Sequence, residues 1–489
     1  MKGMDRRKFL RLSLLASGAA FGAPRSLAAS ANALHLPLRP DRPGNAISGD
    51  FTGLSYETAQ LRNPAFFSAD NTQLAGFFRR LGPSGVLRLG GNTSAYCVWT
   101  PEPGGEDVVE SLRDEIAGQD TGGHPPPRRA VTPLAIRNLR GFLDATGWRL
   151  IFGLNLGGES PETVADEAEY VAKAMASKLI AFQLGNEPDL FHRNGLRASD
   201  YDFEQFAMEW RRFFEAVRGR VPGAPFAGPD TTFGSEWLVP FAGRFGNAVL
   251  FLSQHYYAEG PPGDPSMTIE RLLNPDPKLL KKFDGMARTR RDTGLPFRLT
   301  ETNSCYGGGK AGVSDTFASA LWGADLMYRL ASAGGAGINF HSGGYGRYTP
   351  VAGTPAKGFL ARPLYYGMLL FAEAGPGTLV AADLHNKAAA PLLNAYGLKS
   401  ANGKMKAIIF NKHADRDVVL TIHPGTRTSS ASVLRLGAPR LDDTADTTLG
   451  GAPVNASGAW SPTAEKIKAR KGTVTLSMPK ASGALVTFG

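Results

Sequence analysis

The sequence predicts an α/β protein in which a (β/α)8 barrel is followed by a β-sandwich. From residue 51 onward, short apolar runs alternate with amphipathic helical stretches, as in a parallel barrel. Past about residue 376, strand-like runs separated by turns replace the helical pattern, as in a sandwich. The length of 489 residues allows one large domain and one smaller one, and 42% hydrophobic with 20% charged residues is typical of a soluble globular protein.

Residues 1–29 have the pattern of a twin-arginine signal peptide. Arg6 and Arg7 precede a short apolar stretch at 12–21, and residues 26–28 form a small-residue cleavage site. The stretch is too short to span a bilayer as a mature helix; the alternative is a frayed basic terminus. We expect a bacterial protein that uses the Tat export machinery, is periplasmic or secreted, and has no stable membrane insertion.

Eight apolar runs are predicted to form the catalytic barrel within residues 49–375. They cover residues 51–56, 85–89, 149–154, 179–184, 225–228, 249–255, 297–301 and 337–341. Between them, apolar residues recur at helical spacing, most clearly at 163–177, 202–219, 314–332 and 362–374. A doubly wound open sheet is the rival fold, but no early strand is followed by its glycine-rich phosphate fingerprint.

The second domain is predicted to be a β-sandwich over residues 376–489, joined by a strand from residues 30–48. Its strand-like runs lie at 34–38, 394–399, 405–410, 418–422, 432–436, 473–478 and 484–488. Asn402-Gly403 between two of these runs is a strong hairpin signal. Residues 101–130, rich in Gly, Pro and charge, are predicted to be a long loop at the barrel mouth.

Charge and cysteine content restrict the partners. About half of the formal charge of +10 lies in residues 1–29. The positive charge of the remaining chain gives little reason to expect a nucleic-acid partner, and it suits an anionic substrate.

Cys97 and Cys305 are too few for a disulfide framework, and no Cys or His cluster has zinc spacing. The two cysteines either meet at the barrel mouth or remain free thiols. We expect no metal and no organic cofactor.

Two glutamates follow strands whose ends should meet at one mouth of the barrel. Glu187 comes after the fourth run and Glu301 ends the seventh. Two carboxylates so placed can face one glycosidic bond, Glu187 as acid/base and Glu301 as nucleophile. The acid needs a pKa raised by partial burial, whereas the nucleophile must stay ionised among hydrogen-bond donors. The structural alternatives are a loop cap for Glu187 and an ion pair with Arg298 for Glu301.

Other mouth residues complete a candidate sugar site. Asn186 can donate to a ring hydroxyl, and the glycines after Tyr306 let backbone N–H groups approach an anion without hindrance from side chains. His255 ends the sixth run, where it can support the nucleophile or simply pack. Many retaining barrels keep an arginine in the position of Arg88, beneath the nucleophile; the alternative is a purely structural arginine.

Residues 183–188 (Gln-Leu-Gly-Asn-Glu-Pro) and 300–309 (Thr-Glu-Thr-Asn-Ser-Cys-Tyr-Gly-Gly-Gly) resemble glycoside hydrolase family 79, which contains heparanase and the microbial β-glucuronidases. The resemblance implies a retaining barrel enzyme with its acid/base after strand four and its nucleophile after strand seven. It also implies substrate-binding roles for Glu57, Tyr257, Tyr306, Gly307, Gly308 and Tyr348, with Tyr345 as the substitute for Tyr348. Asn92, after the second run, and Asn186 are candidate substrate-binding residues from their positions at the barrel mouth.

The predicted function is therefore a retaining, exo-acting β-glucuronidase that hydrolyses terminal β-linked glucuronic acid from oligo- or polysaccharides. The sequence shows no heparanase-like processing linker and no long basic stretch, which argues against endo-action on heparan sulfate. The alternatives are a retaining β-glycosidase of the same fold that acts on a neutral sugar, and a non-catalytic carbohydrate-binding barrel.

Overall fold

The computed structural model describes residues 34–101 and 128–489, apart from Ser235 and Tyr345. The predicted signal peptide, most of the predicted loop 101–130 and Tyr345 therefore lie outside the described residues. Within the described part of the chain, no helix has the length and apolar character needed to cross a membrane.

Eight parallel strands close into a barrel, which confirms the predicted fold class. In chain order, the strands up to the end of the barrel are β1 (Leu34–Ile47), β2 (Thr52–Glu57), β3 (Val86–Gly90), β4 (Cys97–Trp99), β5 (Arg129–Val131), β6 (Arg149–Leu154), β7 (Leu179–Leu184), β8 (Phe226–Thr232), β9 (Phe251–Glu259), β10 (Phe297–Cys305) and β11 (Gly337–Ser342). The barrel uses β2, β3 and β6 to β11, and each of the eight predicted runs falls on one of them.

Amphipathic helices surround the barrel. The described α-helices are α1 (Thr72–Arg80), α2 (Pro133–Thr146), α3 (Pro161–Met175), α4 (Phe203–Arg220), α5 (Leu238–Phe245), α6 (Ile269–Leu273), α7 (Pro277–Thr293), α8 (Phe317–Ser332) and α9 (Pro363–Ala374). Helix α4 begins with a capping box, in which the Asp202 side chain accepts from the backbone of Gln205 and the Gln205 side chain accepts from the backbone of Asp202. Helices α8 and α9 are buried almost throughout, because they also support the second domain.

The second domain is one sheet that encloses its own core. The strands after the barrel are β12 (Val351–Thr354), β13 (Gly358–Ala361), β14 (Gly377–Ala382), β15 (Leu393–Ser400), β16 (Met405–Asn411), β17 (Val418–His423), β18 (Ser430–Gly437), β19 (Thr448–Leu449), β20 (Glu465–Lys468), β21 (Val474–Met478) and β22 (Ser482–Phe488). Strands β12 and β13 pair with each other as a separate two-stranded sheet, whereas β14 to β22 and β1 form the ten-stranded sheet of the second domain. Strand β1 joins the sheet's two parts, pairing with β14 on one side and β17 on the other. Leu420 and Leu476 share a buried cluster with Val433 and Val486 of the other part, which is the core of a sandwich.

Three local features differ from the sequence-based expectation or decide between alternatives. Strand β10 continues to Cys305, so Glu301 lies within the strand and not at its end, because β9 is equally long and pairs Tyr257 with Asn303. Part of the predicted loop forms β5, which pairs with β4. Cys97 and Cys305 are both buried and form no disulfide, so the structure favours the second of the two alternatives.

Candidate active site

The predicted site residues gather at the end of the barrel where the parallel strands finish. Glu57 ends β2, Arg88 is in β3, Asn92 follows β3, Asn186 and Glu187 follow β7, His255 and Tyr257 are in β9, Glu301 is in β10, Tyr306, Gly307 and Gly308 follow β10, and Tyr348 follows β11. These elements are the ones that form active sites in parallel barrels.

The two glutamates face each other closely. One carboxylate oxygen of Glu187, one of Glu301 and a ring nitrogen of His255 lie within 4.8 Å of one another. Glu187 has φ 48° and ψ 54°, a left-handed conformation that is uncommon for a residue with a side chain. Its backbone N–H donates to the carbonyl oxygen of Asp230 at 2.9 Å, which holds this turn in place. Both glutamates are buried, with 9% and 6% of their surface exposed.

Glu301 is held ionised by its surroundings. Its Oε2 accepts from Nη1 of Arg88 at 2.7 Å, and its Oε1 accepts from the Tyr257 hydroxyl at 2.8 Å. Burial alone would raise the pKa of this carboxyl, but the charges of His341, His255 and Arg88 and the Tyr257 hydrogen bond lower it to about 2. The carboxylate is therefore available as a nucleophile at neutral pH.

Glu187 is shifted in the opposite direction. Burial raises the pKa of its carboxyl, and the hydrogen bond between its Oε1 and Nδ1 of His255, at 3.0 Å, only partly opposes this. A pair of carboxyls whose pKa values are pushed apart is the arrangement that separates an acid from a nucleophile.

Arg88 organises the floor of the site. Its fully buried guanidinium donates to five side-chain oxygens. These are Ser55 Oγ at 3.2 Å, Gln183 Oε1 at 3.2 Å, Asn186 Oδ1 at 2.8 Å, Asp230 Oδ2 at 2.5 Å and Glu301 Oε2 at 2.7 Å. The alternative partner of Glu301, Arg298, donates instead to Asn339 and to the carbonyls of Asp50 and Phe51.

The outer part of the site contains the remaining predicted residues. Glu57 Oε2 accepts from the backbone N–H and the hydroxyl of Thr93, at 2.9 and 2.6 Å. The amide of Asn186 donates to Oδ1 of Asn92 at 3.1 Å. These contacts give Glu57 and the two asparagines fixed positions around the mouth.

Three tyrosines and a glycine turn lie beside Glu301. The Tyr257 ring lies 6.4 Å from the Tyr306 ring and 6.2 Å from the Tyr348 ring, and Tyr306 is 45% exposed. Gly307, Gly308 and Gly309 have φ values of 74°, 88° and 87°, which only glycine adopts without strain. Their backbone can approach a ligand more closely than residues with a Cβ would allow.

Sequence reasoning missed two acidic or basic residues of this site, Asp230 and His341. Nδ1 of His341 lies 3.1 Å from Ser55 Oγ and 3.5 Å from Glu301 Oε2, and its Nε2 lies 3.4 Å from Glu57. His341 ended a predicted strand just as His255 did, so its position was a usable signal. Asp230 lay two residues beyond the predicted end of the fifth strand, and β8 continues through it.

The cluster of Glu187, His255 and Glu301 has enough ligand atoms for a cation, but its atoms already have other partners. Both ring nitrogens of His255 face carboxylates, Glu187 at 3.0 Å and Asp230 at 3.1 Å. Glu301 is bound by the Arg88 guanidinium. We therefore interpret this cluster as an acid–base network.

No protein-family model matches the chain. The chain is similar to a β-glucuronidase of Neurospora crassa, with 24% identity over 437 residues that cover 78% of this chain and 75% of the relative. It is also similar to the heparanase of Bos taurus, with 25% identity over 347 residues that cover 62% of each chain.

Solved structures show the same fold. A 4-O-α-L-rhamnosyl-β-D-glucuronidase from Fusarium oxysporum 12S matches with a TM-score of 0.72 and 18% identity, covering 93% of this chain and 99% of that one. An α-L-arabinofuranosidase from Thermotoga maritima matches with a TM-score of 0.66 and 15% identity, again covering 93% and 99%. The solved structures confirm the fold. The similarity to the β-glucuronidase and the heparanase confirms the predicted resemblance to glycoside hydrolase family 79 and to the glycoside hydrolases.

Proposed function

We propose that this protein is a retaining, exo-acting β-glucuronidase that removes terminal β-linked glucuronic acid from glycans. The observation that carries the proposal is the buried pair of Glu187 and Glu301, with carboxylate oxygens within 4.8 Å of each other and pKa values shifted in opposite directions. Retaining glycosidases hold their carboxyls about 5–5.5 Å apart, whereas inverting ones need about 6.5–9.5 Å to admit a water molecule.

In the first half of the reaction, Glu301 attacks the anomeric carbon and forms a glycosyl ester while the glycosidic bond breaks. Glu187 gives its proton to the departing oxygen at the same time. The attacking oxygen is released from its ion pair with Arg88 or its hydrogen bond with Tyr257, 2.7 and 2.8 Å away.

In the second half, Glu187 is ionised and takes a proton from water as the water attacks the anomeric carbon. The ester bond to Glu301 breaks, and its carboxylate returns to Arg88 and Tyr257. His255, 3.0 Å from Glu187, supports the negative charge that Glu187 carries between the two steps.

The glucuronide specificity is supported by two β-glucuronidase relatives and by the turn after β10. There, Tyr306 and the glycines at 307–309 supply a hydroxyl and unshielded backbone donors beside the nucleophile. Neutral donors of this kind can bind a sugar carboxylate through hydrogen bonds. Exo-action is supported by the absence from the sequence of a long basic stretch suited to an extended polyanion.

The test is hydrolysis of an aryl β-D-glucuronide by the wild type and by Glu187→Gln and Glu301→Gln, with NMR detection of the first product anomer. We expect the β-anomer first, and losses of about 10²–10⁴-fold or more in each variant. Glu204→Gln, an exposed glutamate on α4, is the matched control and should retain full activity. The α-anomer as first product would refute retention, and wild-type rates in either variant would refute the assignments.

Azide separates the roles of the two glutamates. With Glu187→Ala, azide should attack the accumulated glycosyl ester and give the β-azide, whereas with Glu301→Ala it should replace the nucleophile and give the α-azide. Exchange of these two products between the variants would mean that the acid/base and the nucleophile are assigned the wrong way round.

A neutral-sugar glycosidase is the second candidate. It is favoured by the likeness of the fold to arabinofuranosidases. It is also favoured by the predicted carboxylate pocket, because the hydroxyls and backbone amides that form it are uncharged donors that suit a neutral sugar as well. Comparing aryl β-D-glucuronide with aryl β-D-glucoside and aryl α-L-arabinofuranoside decides between them. Turnover of the neutral sugars alone would replace our proposal, and turnover of any substrate would exclude the non-catalytic alternative.

A further inference from the structure

Asp230 lies between His255, which contacts Glu187, and Arg88, which contacts Glu301. It lies on β8, its side chain is 1% exposed, and its φ of 60° is unusual for a residue with a side chain. A buried aspartate in a left-handed conformation persists only where its surroundings determine it strongly. Its partners therefore indicate its role.

Toward Glu187, Asp230 acts by two routes. Its backbone carbonyl accepts the Glu187 N–H at 2.9 Å, which fixes the turn that carries the acid/base. Its Oδ2 lies 3.1 Å from Nε2 of His255, whose Nδ1 lies 3.0 Å from Glu187. The imidazole thus bridges the carboxylates of Asp230 and Glu187.

Toward Glu301, Asp230 acts through its other contacts. Oδ2 also accepts from Nη2 of Arg88 at 2.5 Å, and the same guanidinium donates to Glu301 at 2.7 Å. Oδ1 accepts from the hydroxyl of Thr300, the residue before Glu301, at 2.5 Å and from the amide of Gln183. The Asp230 carboxylate thus orients both His255 and Arg88, the residues that contact the two proposed catalytic groups.

The charges around His255 favour its protonated form. Burial alone would lower the pKa of this imidazole, but Asp230 and Glu301 raise it to about 10. The other charged groups near it are Glu187, Asp189 and Arg88. Burial would likewise raise the pKa of Asp230, yet Arg88 and His255 hold it well below its usual range.

We propose that Asp230 is a positioning residue that keeps His255 an imidazolium facing Glu187 and holds Arg88 against Glu301. The proposal rests on the proposed glycosidase function. A fixed positive charge beside Glu187 strengthens it as an acid when the leaving group needs a proton, and offsets its negative charge in the glycosyl-enzyme. Asp230 itself contacts no reacting atom in this arrangement.

The first test needs no substrate. The ring of His255 is titrated by NMR in labelled full-length protein, with His255→Gln to assign its signal. We expect His255 in the wild type to stay protonated until about pH 10. In Asp230→Asn it should titrate about one to three pH units lower, the range expected when an adjacent opposite charge is removed. Thr300→Val removes one hydrogen bond from Asp230 but no charge, so it should leave His255 protonated. Titration of wild-type His255 near pH 6.5 would overturn the proposal, even if Asp230→Asn does not fold.

The second test uses the dependence on the leaving group. Asp230→Asn should lower kcat/KM at least about tenfold for an aryl glucuronide with a poor leaving group, which needs the acid, and much less for the 2,4-dinitrophenyl glucuronide. Asp202→Asn, a helix cap where Asn serves equally well, is the control. An equal loss with both substrates would overturn the role of Asp230 through His255, because a disturbance of Arg88 and Glu301 alone slows nucleophilic attack with either leaving group. A wild type inactive on every glucuronide would overturn the proposed function, while the NMR titration still tests the role of Asp230.

Discussion

Replacing Asp325 should reveal how strongly the barrel is joined to the second domain. Asp325 lies on α8 and is buried, and its carboxylate accepts from four groups. These are Arg329 Nε at 2.9 Å, Asn394 Nδ2 at 2.8 Å, the Tyr396 hydroxyl at 2.6 Å and Lys412 Nζ at 2.9 Å. Three of the four partners belong to β15 or follow β16, so this carboxylate connects the two domains.

The expected loss of stability follows from the burial of the ion pair between Asp325 and Lys412. Asp325 and Lys412 have side chains that are each 4% exposed, and removing one member of such a pair leaves an uncompensated buried charge. Asp325→Asn keeps the shape and can keep the Tyr396 hydrogen bond, so the change removes mainly charge. We expect the free energy of unfolding to fall by about 3–5 kcal/mol at pH 7.

Urea unfolding of the wild type, Asp325→Asn, Lys412→Met and the double variant provides the measurement. The double variant should be less destabilised than the sum of the single ones, by about 0.5–3 kcal/mol, because the second change removes the unpaired ammonium. A loss below about 1 kcal/mol for Asp325→Asn, or strict additivity, would refute the reasoning.

The effect of pH checks the same point. Burial would raise the pKa of Asp325, but Lys412 and Arg329 lower it to about 2 from its usual 3.8. A lowered pKa contributes stability that is present above pH 3.8 and is lost as the pH falls through about 2. The difference between wild type and Asp325→Asn should therefore be constant from pH 5 to 7 and shrink below pH 4, and a gap independent of pH would contradict us.

Three further predictions concern the site and the export of the protein. Tyr257→Phe removes a hydrogen bond to the Glu301 carboxylate that is worth about 1.5–3 kcal/mol. The pKa of Glu301, and with it the acidic limb of the pH profile of kcat/KM, should therefore rise by about 1–2 pH units, and an unchanged limb would contradict this. Gly308→Ala should raise KM for an aryl glucuronide but leave unchanged the KM of any aryl glucoside that the enzyme hydrolyses. Gly312 also has a positive φ, 75°, but has open space around it, so Gly312→Ala should change neither of these KM values. Replacing Arg6 and Arg7 by Lys should retain the protein in the cytoplasm, as fractionation would show, and normal export would remove the twin-arginine proposal.

The barrel could be predicted from sequence because its strands and helices differ in period. Runs such as 179–184 and 297–301 are short and bounded by polar residues, while 202–219 repeats apolar residues at helical spacing, so their alternation is visible without any tertiary information. The two glutamates were found for the same reason, since each stands at or just after the end of an apolar run whose place in the order of eight is countable.

The buried network beneath the two glutamates could be predicted only at individual residues such as Arg88 and His255, because the network depends on contacts between distant segments. Arg88, Gln183 and Asp230 come from β3, β7 and β8, and nothing in their local sequence indicates that their side chains meet. The length of β10 is also a tertiary effect, since Glu301 lies mid-strand only because β9 offers a pairing partner as far as Glu259. Polar residues inside a barrel break the apolar pattern, and such breaks are expected at functional sites.

The charges of this network explain why so many ionisable groups can be buried together. In the proposed mechanism, the free enzyme has Arg88 and His255 positive, Asp230 and Glu301 negative and Glu187 carrying the proton of the acid, so these five groups together are neutral. His341, whose charge also lowers the pKa of Glu301, stands outside this sum in both states. In the proposed glycosyl-enzyme, Glu301 is esterified and Glu187 is ionised, so the sum is again zero. The reaction then moves one negative charge between carboxylate oxygens within 4.8 Å of each other and leaves the summed charge of these five groups unchanged. Because Arg88, His255 and Asp230 keep their charges in both states, the two half-reactions require no change in the net charge of this group of side chains.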